Sequence, residues 1–364
     1  MKIDLIAGAR PNFVKLAPVV DEILRSRSSG ADLEYRIVHT GQHYDIEMSQ
    51  SFFDDLNIPT PDVNLNVRSG TQAEQTGAIM TGYEQLLKNE KPTLCMVFGD
   101  VNSTMAAAIT AKKMHMDVAH VEAGLRSGDL DMPEEINRIV TDSISDLFFT
   151  TTRSASENLV RSGADKDRIF FVGNTMIDTL LKHQKSLVPP RDARLQDLES
   201  GSYIVLTMHR PKNVDDEQRL ASILRTILDY CPNHKFIFPA HPRTAKGLEA
   251  IGIRDQQLIA TPPLGYLEFN YLVSHADAVI TDSGGITEET TQMGIPCITL
   301  RDSTERPETV EIGTNELAGT SPETIAPMLK KLVSGKWKKG AVPELWDGKA
   351  AERIVGHIIN FYGL

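Results

Sequence analysis

Short apolar runs that alternate with longer stretches of helical periodicity constrain the fold of this chain more than any other feature. Most of the runs are four to seven residues long and nearly continuous in Val, Ile, Leu and Phe, which is typical of strands that helices bury on both faces. The predicted strands are Ile3–Ala7, Tyr35–His39, Thr93–Phe98, Val118–Val121, Asp146–Thr150, Ile169–Val172, Tyr203–Thr207, Lys235–Pro239, Gln257–Ala260, Ala278–Thr281 and Cys297–Leu300. The predicted helices between them include Phe13–Arg27, Thr104–Met114, Glu134–Ser145 and Asp216–Tyr230. Repeated alternation of strand and helix predicts an α/β fold with parallel sheets.

The length of the chain, 364 residues, corresponds to about two domains at roughly 150 residues each. A seam is expected between Asp178 and Ser202, where two adjacent prolines and many charges lie without a strand pattern. We therefore predict two doubly wound domains, residues 1–180 and 181–349. Because such sheets bind ligands at the carboxyl ends of their strands, a cleft between the domains is the expected site. The last helical stretch, Ala350–Tyr362, could pack on either domain.

The charge and composition exclude several classes of partner. A net charge of −11 disfavours a protein that grips nucleic acid through a general basic surface. No window approaches the roughly 20 apolar residues of a membrane span, and the first residues do not have the pattern of a signal peptide. Three widely spaced cysteines suit neither a disulfide framework nor a zinc site. We expect a cytoplasmic protein with no nucleic-acid or membrane partner.

A first motif, GARPNFVK at residues 8–15, directly follows the first predicted strand. Gly8 permits a sharp turn, and Pro11 suits the first turn of a helix. Arg10 and Lys15 would then lie at the carboxyl end of the sheet, where an anion could bind. The alternative is an ordinary strand-to-helix turn with two solvated cations.

A second motif, DSGGITEE at residues 282–289, follows the strand predicted at Ala278–Thr281. Small residues at 283–285 open a helix, so backbone N–H groups could approach a phosphate. Asp282 could hold the loop, and Glu289 is placed to accept hydrogen bonds from ribose hydroxyls. Alternatively, Glu288 and Glu289 only supply favourable charge near a helix start. GxGxxG and GxxxxGK[ST] motifs are absent from the sequence, which counts against dinucleotide oxidoreductases and P-loop enzymes.

Three carboxylates follow successive elements of the first half. Asp100 and Glu122 come after two neighbouring strands, and Glu134 lies at a predicted helix start. Carboxylates from successive strand ends can converge, as acid and base chemistry requires. The alternatives are a first-turn acid at Glu134 and structural ion pairs with Arg126 or Arg138.

Cations also cluster at predicted strand ends in the second half. TMHRPKN places His209 and Arg210 after its first strand, and HPRT begins with His241 after the next. Arg301 and Arg306 lie in RDSTERPE, after a later strand. A lone His is more often a packed or surface residue than a catalyst, although a strand-end position favours function. No His/Cys grouping has metal-ligand spacing, and no G-x-S-x-G elbow is present in the sequence.

Together these segments resemble the non-hydrolysing UDP-N-acetylglucosamine 2-epimerases. The resemblance covers nearly the whole chain, through GARPNFVKLAP, GQHYD, GDVNSTMAA, HVEAGLRSGD, MPEEINR, VGNTMID, MHRPKNVD, PLGYLEF, DSGGITEE and RDSTERPE. It implies the GT-B architecture of two Rossmann-like domains around a deep cleft. It also implies that residues 350–364 pack on the first domain, and that the protein is a homodimer serving cell-surface polysaccharide biosynthesis without a metal or cofactor.

The family interconverts UDP-GlcNAc and UDP-ManNAc, and its reaction makes sense of the residues. The C2 hydrogen has no adjacent carbonyl to acidify it. Loss of the anomeric UDP gives the ring oxocarbenium character, so elimination yields 2-acetamidoglucal and UDP, and re-addition with protonation on the other face inverts C2. This chemistry needs carboxylates near both faces of C2, cations on the diphosphate and exclusion of water.

The resemblance also implies roles for individual residues. The acid/base carboxylates would be Asp100, Glu122 and Glu134, with no assignment of each to a face of C2. The groups on the departing diphosphate would be Arg10, His209, Ser283, Gly284 and Gly285, supported by Lys15. The residues on the uridine side would be Glu289 at the ribose, Phe269 near the uracil, and Arg306.

Three departures from the family pattern carry expectations of their own. The loop before PEE is the short LDMPEE, and Leu264 stands where the family has a Gln that contacts the base. The bacterial allosteric stretch Gln-His-Arg here ends in Tyr44 after Gln42 and His43, so we expect allosteric regulation by UDP-GlcNAc to be weak or absent.

Other functions remain open from the sequence. The same motifs resemble epimerases acting on UDP-2,3-diacetamido-glucuronic acid. A hydrolysing epimerase that releases ManNAc and a GT-B glycosyltransferase are further readings. A catalytically inactive nucleotide-sugar sensor is the last alternative.

Overall fold

The computed structural model of the protein describes residues 1–41, 53, 55–195, 198, 200–240, 242–253 and 255–364. The chain divides into two compact units: Met1–Lys182 with Glu344–Leu364, and His183–Pro343. Among the described residues, no helix combines the length and the apolar content needed to cross a bilayer.

The first unit is built on a seven-stranded parallel sheet. Its strands are β1 (Lys2–Ala7), β2 (Glu34–His39), β3 (Val63–Asn64), β4 (Leu94–Phe98), β5 (Asp117–Val121), β6 (Leu147–Thr150) and β7 (Ile169–Phe171). Its helices are α1 (Arg10–Ser28), α2 (Gln72–Asn89), α3 (Asn102–Lys113), α4 (Pro133–Ile144), α5 (Arg153–Arg161) and α6 (Thr175–His183), with a 3₁₀ turn at Lys166–Arg168. The strand order is β3-β2-β1-β4-β5-β6-β7, so the chain winds outward in one direction from β1 and then in the other from β4.

The second unit repeats this plan with six parallel strands. They are β8 (Tyr203–Thr207), β9 (Lys235–Pro239), β10 (Leu258–Thr261), β11 (Ala278–Thr281), β12 (Cys297–Thr299) and β13 (Asn315–Leu317). Its helices are α7 (Pro211–Val214), α8 (Glu217–Tyr230), α9 (Pro242–Ile251), α10 (Tyr266–His275), α11 (Gly284–Met293), α12 (Pro307–Glu311) and α13 (Pro322–Val333), with 3₁₀ turns at Gln184–Ser186 and Ala193–Leu195. The order β10-β9-β8-β11-β12-β13 reverses between β8 and β11.

Local sequence signals account for many of the element boundaries. The central strand β4 is buried along its whole length, as its unbroken apolar run predicts. Helix α2 begins with a capping box, in which Thr71 Oγ1 accepts from the Glu74 N–H and the Glu74 carboxylate accepts from the Thr71 N–H. Helix α11 ends at Gly294, whose φ of +73° is readily adopted by glycine. The predicted class, two Rossmann-like parallel α/β domains, is confirmed by the two sheets.

The C-terminal helix, Ala350–Tyr362, belongs to the first unit. Asp178 on α6 holds its first turn, because the backbone N–H groups of Ala350 and Ala351 donate to the carboxylate at 3.1 and 2.7 Å. Burial raises the pKa of Asp178 to about 6 despite these two bonds. This carboxylate therefore serves as a cap supplied from another helix, satisfying two N–H groups that have no partner within the helix itself.

We expect Asp178→Ala to lower the free energy of unfolding by about 1–2 kcal/mol, because it removes a helix cap. Asp178→Asn keeps one acceptor oxygen and should lose less. Urea denaturation of the two variants beside the parent protein measures the difference, and equal stability of Asp178→Ala and the parent would refute the capping role.

Candidate active site

In each unit, several predicted site residues follow the strands between which the strand order reverses, and others follow neighbouring strands. A doubly wound sheet leaves a crevice at the carboxyl ends of its strands at that point, where ligands bind. In the first unit the crevice lies between β1 and β4, and in the second between β8 and β11. Arg10 follows β1, Asp100 follows β4 and Glu122 follows β5, whereas His209 follows β8 and Ser283 follows β11.

The turn between β1 and α1 is fixed against the end of β4. The Asn12 side chain accepts hydrogen bonds from two turn amides at 3.0 and 3.2 Å and donates to the Phe98 carbonyl at 2.8 Å. Gly8 is required by close approach, because a Cβ there would lie 1.9 Å from Ser103 Oγ. Arg10, half-buried, is the first residue of α1. The turn therefore places Arg10 at the carboxyl end of β1.

Lys15 and Glu122 form a buried ion pair. Lys15 Nζ lies 2.7 and 2.6 Å from the two carboxylate oxygens of Glu122, and both side chains are less than one-tenth exposed. Glu122 has a φ of +75°, a conformation that costs energy in a residue with a Cβ. At Gly99 a Cβ would lie 2.9 Å from Lys15 Nζ, so this glycine makes room for the pair. Lys15 thus contacts a predicted catalytic carboxylate.

Arg138 on α4 joins two further acids. Its guanidinium pairs with Asp100, and its Nη1 lies 2.8 Å from Glu135 Oε2. Glu135 also accepts from the backbone N–H groups of Ser127 and Gly128 at 2.9 and 3.1 Å. Although burial alone would raise the pKa of Glu135, these bonds and Arg138 hold it below its usual value.

The three predicted acid/base carboxylates therefore have different surroundings. Asp100 and Glu122 each contact a buried cation, at the ends of adjacent strands paired through Phe98 and Val121. Glu134 lies half-buried in the first turn of α4, and no hydrogen bond or ion pair of its side chain is found within the described ranges.

In the second unit, Asp282 organises the strand ends. It is fully buried and accepts from the backbone N–H groups of His209 and Arg210, and from Asn213 Nδ2 at 3.0 Å. Burial opposes its charge, but the bonds from His209, Arg210 and Asn213 lower its pKa. His209 Nδ1 lies 2.9 Å from Asp282 Oδ1 while its ring is half exposed. The carboxylate thus orients the imidazole with Nε2 directed away from it.

The glycine-rich turn leads directly into α11. Ser283 precedes the helix, and Gly284 and Gly285 are its first residues. Their backbone N–H groups are the kind of donors that bind anions at helix starts. A Cβ on Gly284 would lie 2.6 Å from Glu305 Oε1, so a larger residue there would displace the Glu305 carboxylate.

The uridine-side residues lie within the second unit's core. Glu289 is buried, Asn270 Nδ2 lies 3.4 Å from its Oε1, and burial raises its pKa to about 7. Phe269, the neighbour of Asn270 on α10, packs half-buried against the apolar cluster beneath the sheet. Arg306 Nε lies 3.0 Å from Glu288 Oε1, with both side chains buried. Glu288 is thus an ion-pair partner rather than only a first-turn charge.

Some predicted residues lie outside the described residues, namely Gln42, His43, Tyr44 and His241. Among those described, no group of three or more His, Cys, Asp or Glu side chains is arranged to hold a metal ion. His120 and Asp142, which lie beneath Asp100 and Glu122, were not predicted as site residues from the sequence. His120 stands two residues before Glu122, but its contact with Asp142 depends on the packing of α4 on β5.

Comparison with known proteins assigns the chain to a family. Residues 25–359 match the family model described as UDP-N-acetylglucosamine 2-epimerase. The chain belongs to this family. Its members are isomerases, so the predicted enzyme class is confirmed, as is the resemblance seen in the sequence.

Relatives of known name agree with this assignment to the UDP-N-acetylglucosamine 2-epimerase family. The chain is 41% identical to the UDP-N-acetylglucosamine 2-epimerase of Methanocaldococcus jannaschii over 98% of each chain. It is 39% identical to the UDP-2,3-diacetamido-2,3-dideoxy-D-glucuronate 2-epimerase of Pseudomonas aeruginosa, over 98% of this chain and 99% of the relative. A crystal structure of the M. jannaschii UDP-GlcNAc 2-epimerase in complex with UDP-GlcNAc and UDP matches with a TM-score of 0.87 at 40% identity, covering 99% of this chain and 100% of that one.

The buried Lys15–Glu122 pair yields a stability prediction. Lys15→Met removes the cation that compensates Glu122, so we expect a loss of about 3–5 kcal/mol in the free energy of unfolding. The double variant Lys15→Met, Glu122→Gln removes the charge as well and should recover much of this loss. Chemical denaturation of both variants measures the difference, and a double variant no more stable than Lys15→Met would contradict the pairing.

Proposed function

We propose that the protein catalyses the reversible C2 epimerisation of UDP-GlcNAc and UDP-ManNAc by elimination of UDP and its re-addition. The observation that carries the proposal is the pair of acids after adjacent strands, Asp100 and Glu122, each held by a buried cation. Membership of the epimerase family and a relative crystallised with UDP-GlcNAc and UDP support it.

The first unit supplies the groups for the C2 proton. Direct deprotonation of C2 is too difficult near neutral pH, so departure of the anomeric UDP must accompany it. A carboxylate then takes the C2 proton as 2-acetamidoglucal forms, and a second acid delivers a proton to the opposite face on return. We assign these tasks to Asp100, Glu122 and Glu134 without dividing them between the faces.

The buried ammonium of Lys15 compensates the charge of Glu122. A carboxylate that shares a buried ammonium at 2.6 Å remains charged while it is shielded from water. The same pairing makes Glu122 a weaker base than an unpaired buried carboxylate would be, and it fixes the position of the carboxylate.

The second unit supplies groups for the UDP moiety. His209, oriented by Asp282, can donate from Nε2 to a phosphate oxygen, and the first amides of α11 add uncharged donors. Arg10, at the start of α1, is a further candidate for binding the diphosphate, as the family resemblance implies. Donors of these kinds stabilise the charge that develops when the C1–O bond breaks.

The uridine side rests on Glu289, Phe269 and Arg306. The buried carboxylate of Glu289 can accept from ribose hydroxyls, and the half-buried Phe269 on α10 would pack near the uracil. Arg306 acts through Glu288, the neighbour of Glu289 on α11. A polar side-chain contact from position 264 to the base is not expected, because Leu264 lacks the amide of the Gln that the family has there.

Incubation with UDP-GlcNAc in D2O, followed by NMR, tests the proposal. We expect UDP-ManNAc that carries deuterium at C2. Release of free ManNAc would instead indicate the hydrolysing reaction, and the complete absence of exchange at C2 would contradict elimination.

A variant of the proposed base separates chemistry from folding. Glu122→Gln should lower C2 exchange by about 100-fold or more, as expected for loss of a general base, while UDP still binds. Glu84→Gln, on the exposed face of α2, is the matched control and should exchange like the parent. Loss of both exchange and UDP binding in Glu122→Gln would assign this residue a structural role instead.

The raised pKa of Glu289 predicts how binding depends on pH. Ribose hydroxyls donate more favourably to the ionised carboxylate, so affinity should rise as the pH increases through about 7. Titration of UDP-GlcNAc in the Glu122→Gln background avoids turnover. Adding Glu289→Gln should flatten the pH dependence, and an unchanged slope would exclude Glu289 from the ribose site.

A second substrate is favoured by a specific observation, namely the 39% identity to the UDP-2,3-diacetamido-2,3-dideoxy-D-glucuronate 2-epimerase. Comparison of kcat/KM for that sugar nucleotide and for UDP-GlcNAc decides between them. A GT-B glycosyltransferase would require an acceptor and would leave C2 unexchanged.

We further propose a cytoplasmic homodimer that serves cell-surface polysaccharide biosynthesis. The three cysteines are free and buried, which suits a reducing compartment. Leu130, Ile136 and Ile139 form part of an exposed apolar surface on and before α4, which a second copy could cover. Light scattering coupled to size-exclusion chromatography measures the mass in solution.

A further inference from the structure

A fully buried histidine lies beneath the two strand ends that carry Asp100 and Glu122. His120 is on β5, one residue before the strand ends, and its side chain has no exposed surface. Its Nδ1 lies 2.7 Å from Asp142 Oδ1, and its Nε2 lies 2.8 Å from the carbonyl oxygen of Gly99. Both ring nitrogens therefore face an oxygen within hydrogen-bond distance.

The partners determine where the hydrogens lie. A backbone carbonyl only accepts, so Nε2 must donate to Gly99. Asp142 Oδ2 accepts from the Gly124 N–H at 3.1 Å and from Arg126 Nη1 at 2.6 Å, as an ionised carboxylate would. Although burial alone would raise the pKa of Asp142, its contacts with His120 and Arg126 lower it. An ionised Asp142 requires that Nδ1 donate as well.

The same contacts hold the backbone on both sides of the proposed catalytic acids. Through Nε2, His120 fixes the carbonyl of Gly99, the residue before Asp100. Through its two oxygens, Asp142 ties together residue 120 and Gly124, which stand two positions before and after Glu122. Glu122 itself lies at a φ of +75°, which the surrounding contacts must maintain.

We propose that His120 is a buried imidazolium, hydrogenated on both ring nitrogens, and that with Asp142 it acts as a positioning device for Asp100 and Glu122. The effect of this pair on catalysis rests on the proposed epimerase function. The protonation of His120 and its contacts with the backbone are independent of that function.

Nitrogen-15 NMR of the ring tests the protonation directly. His120 is assigned by the signals that disappear in His120→Gln. We expect both ring nitrogens to have the shifts of hydrogen-bearing nitrogen near neutral pH and in mildly alkaline buffer. Should His120→Gln fail to fold, Asp142→Asn provides the assignment, because loss of the carboxylate should leave His120 with a single ring hydrogen. An unprotonated ring nitrogen in the parent protein would overturn the proposal.

Two variants each retain one half of the device. The side chain introduced by His120→Asn can reach Asp142 but not the Gly99 carbonyl. The side chain introduced by His120→Gln can reach the Gly99 carbonyl but not Asp142. We expect His120→Asn and His120→Gln to lower kcat for C2 exchange by about 10–100-fold, as displaced catalytic groups do, with KM little changed. His115→Asn, at an exposed histidine after α3, is the matched control and should retain the parent kcat.

Amide hydrogen exchange gives a readout that does not require activity. In either His120 variant, the amides of Asp100 and Glu122 should exchange faster by more than the fall in global stability, measured by denaturation of the same variant, accounts for. Unchanged amide exchange, or a rise in KM as large as the fall in kcat, would contradict the positioning role. A parent protein without epimerase activity would refute the proposed function, while the NMR and amide measurements would still decide this inference.

Discussion

The parallel pairing of β1 with β4, and of β8 with β11, determines where the proposed functional groups that follow these four strands lie. Parallel strands bring their carboxyl ends to one edge, and the reversal of strand order leaves that edge uncovered between those two strands. Arg10 and Asp100 follow the two strands at this edge in the first unit, and His209 and Ser283 follow them in the second. Helix starts at the same edge add unpaired backbone N–H groups, so one topological rule supplies acids, cations and anion donors.

Charge pairing is the second organising constraint. The chain carries a net charge of −11, yet its strand-end cations are held by neighbouring acids: Lys15 by Glu122, Arg138 by Asp100 and Arg306 by Glu288. Burial makes an uncompensated charge costly, so each pair fixes the position of both members. Within each unit, the loss of one member of such a pair would leave the charge of its buried partner uncompensated.

The sequence predicted the parallel sheets because their strands are continuous apolar runs, and it predicted which residues lie at the strand ends because strand ends follow from strands. It missed Val63–Asn64 and Asn315–Leu317, since pieces of two or three residues have no apolar run to recognise. It proposed Lys15 and Arg306 as ligand cations but could not show their partners, which are 107 residues away for Lys15. The contact between His120 and Asp142 likewise depends on packing of α4 against β5, which no local pattern encodes.

The central claim is that the bond between C1 and the diphosphate breaks during epimerisation. It is tested most directly with UDP-GlcNAc that carries oxygen-18 in the bridge between C1 and the β-phosphorus. If UDP departs and returns, its terminal phosphate rotates in the site, and recovered UDP-sugar will carry label in non-bridging positions. Label that stays entirely in the bridge while C2 exchanges with solvent, with no 2-acetamidoglucal or free UDP formed on prolonged incubation, would contradict elimination and require another route to inversion.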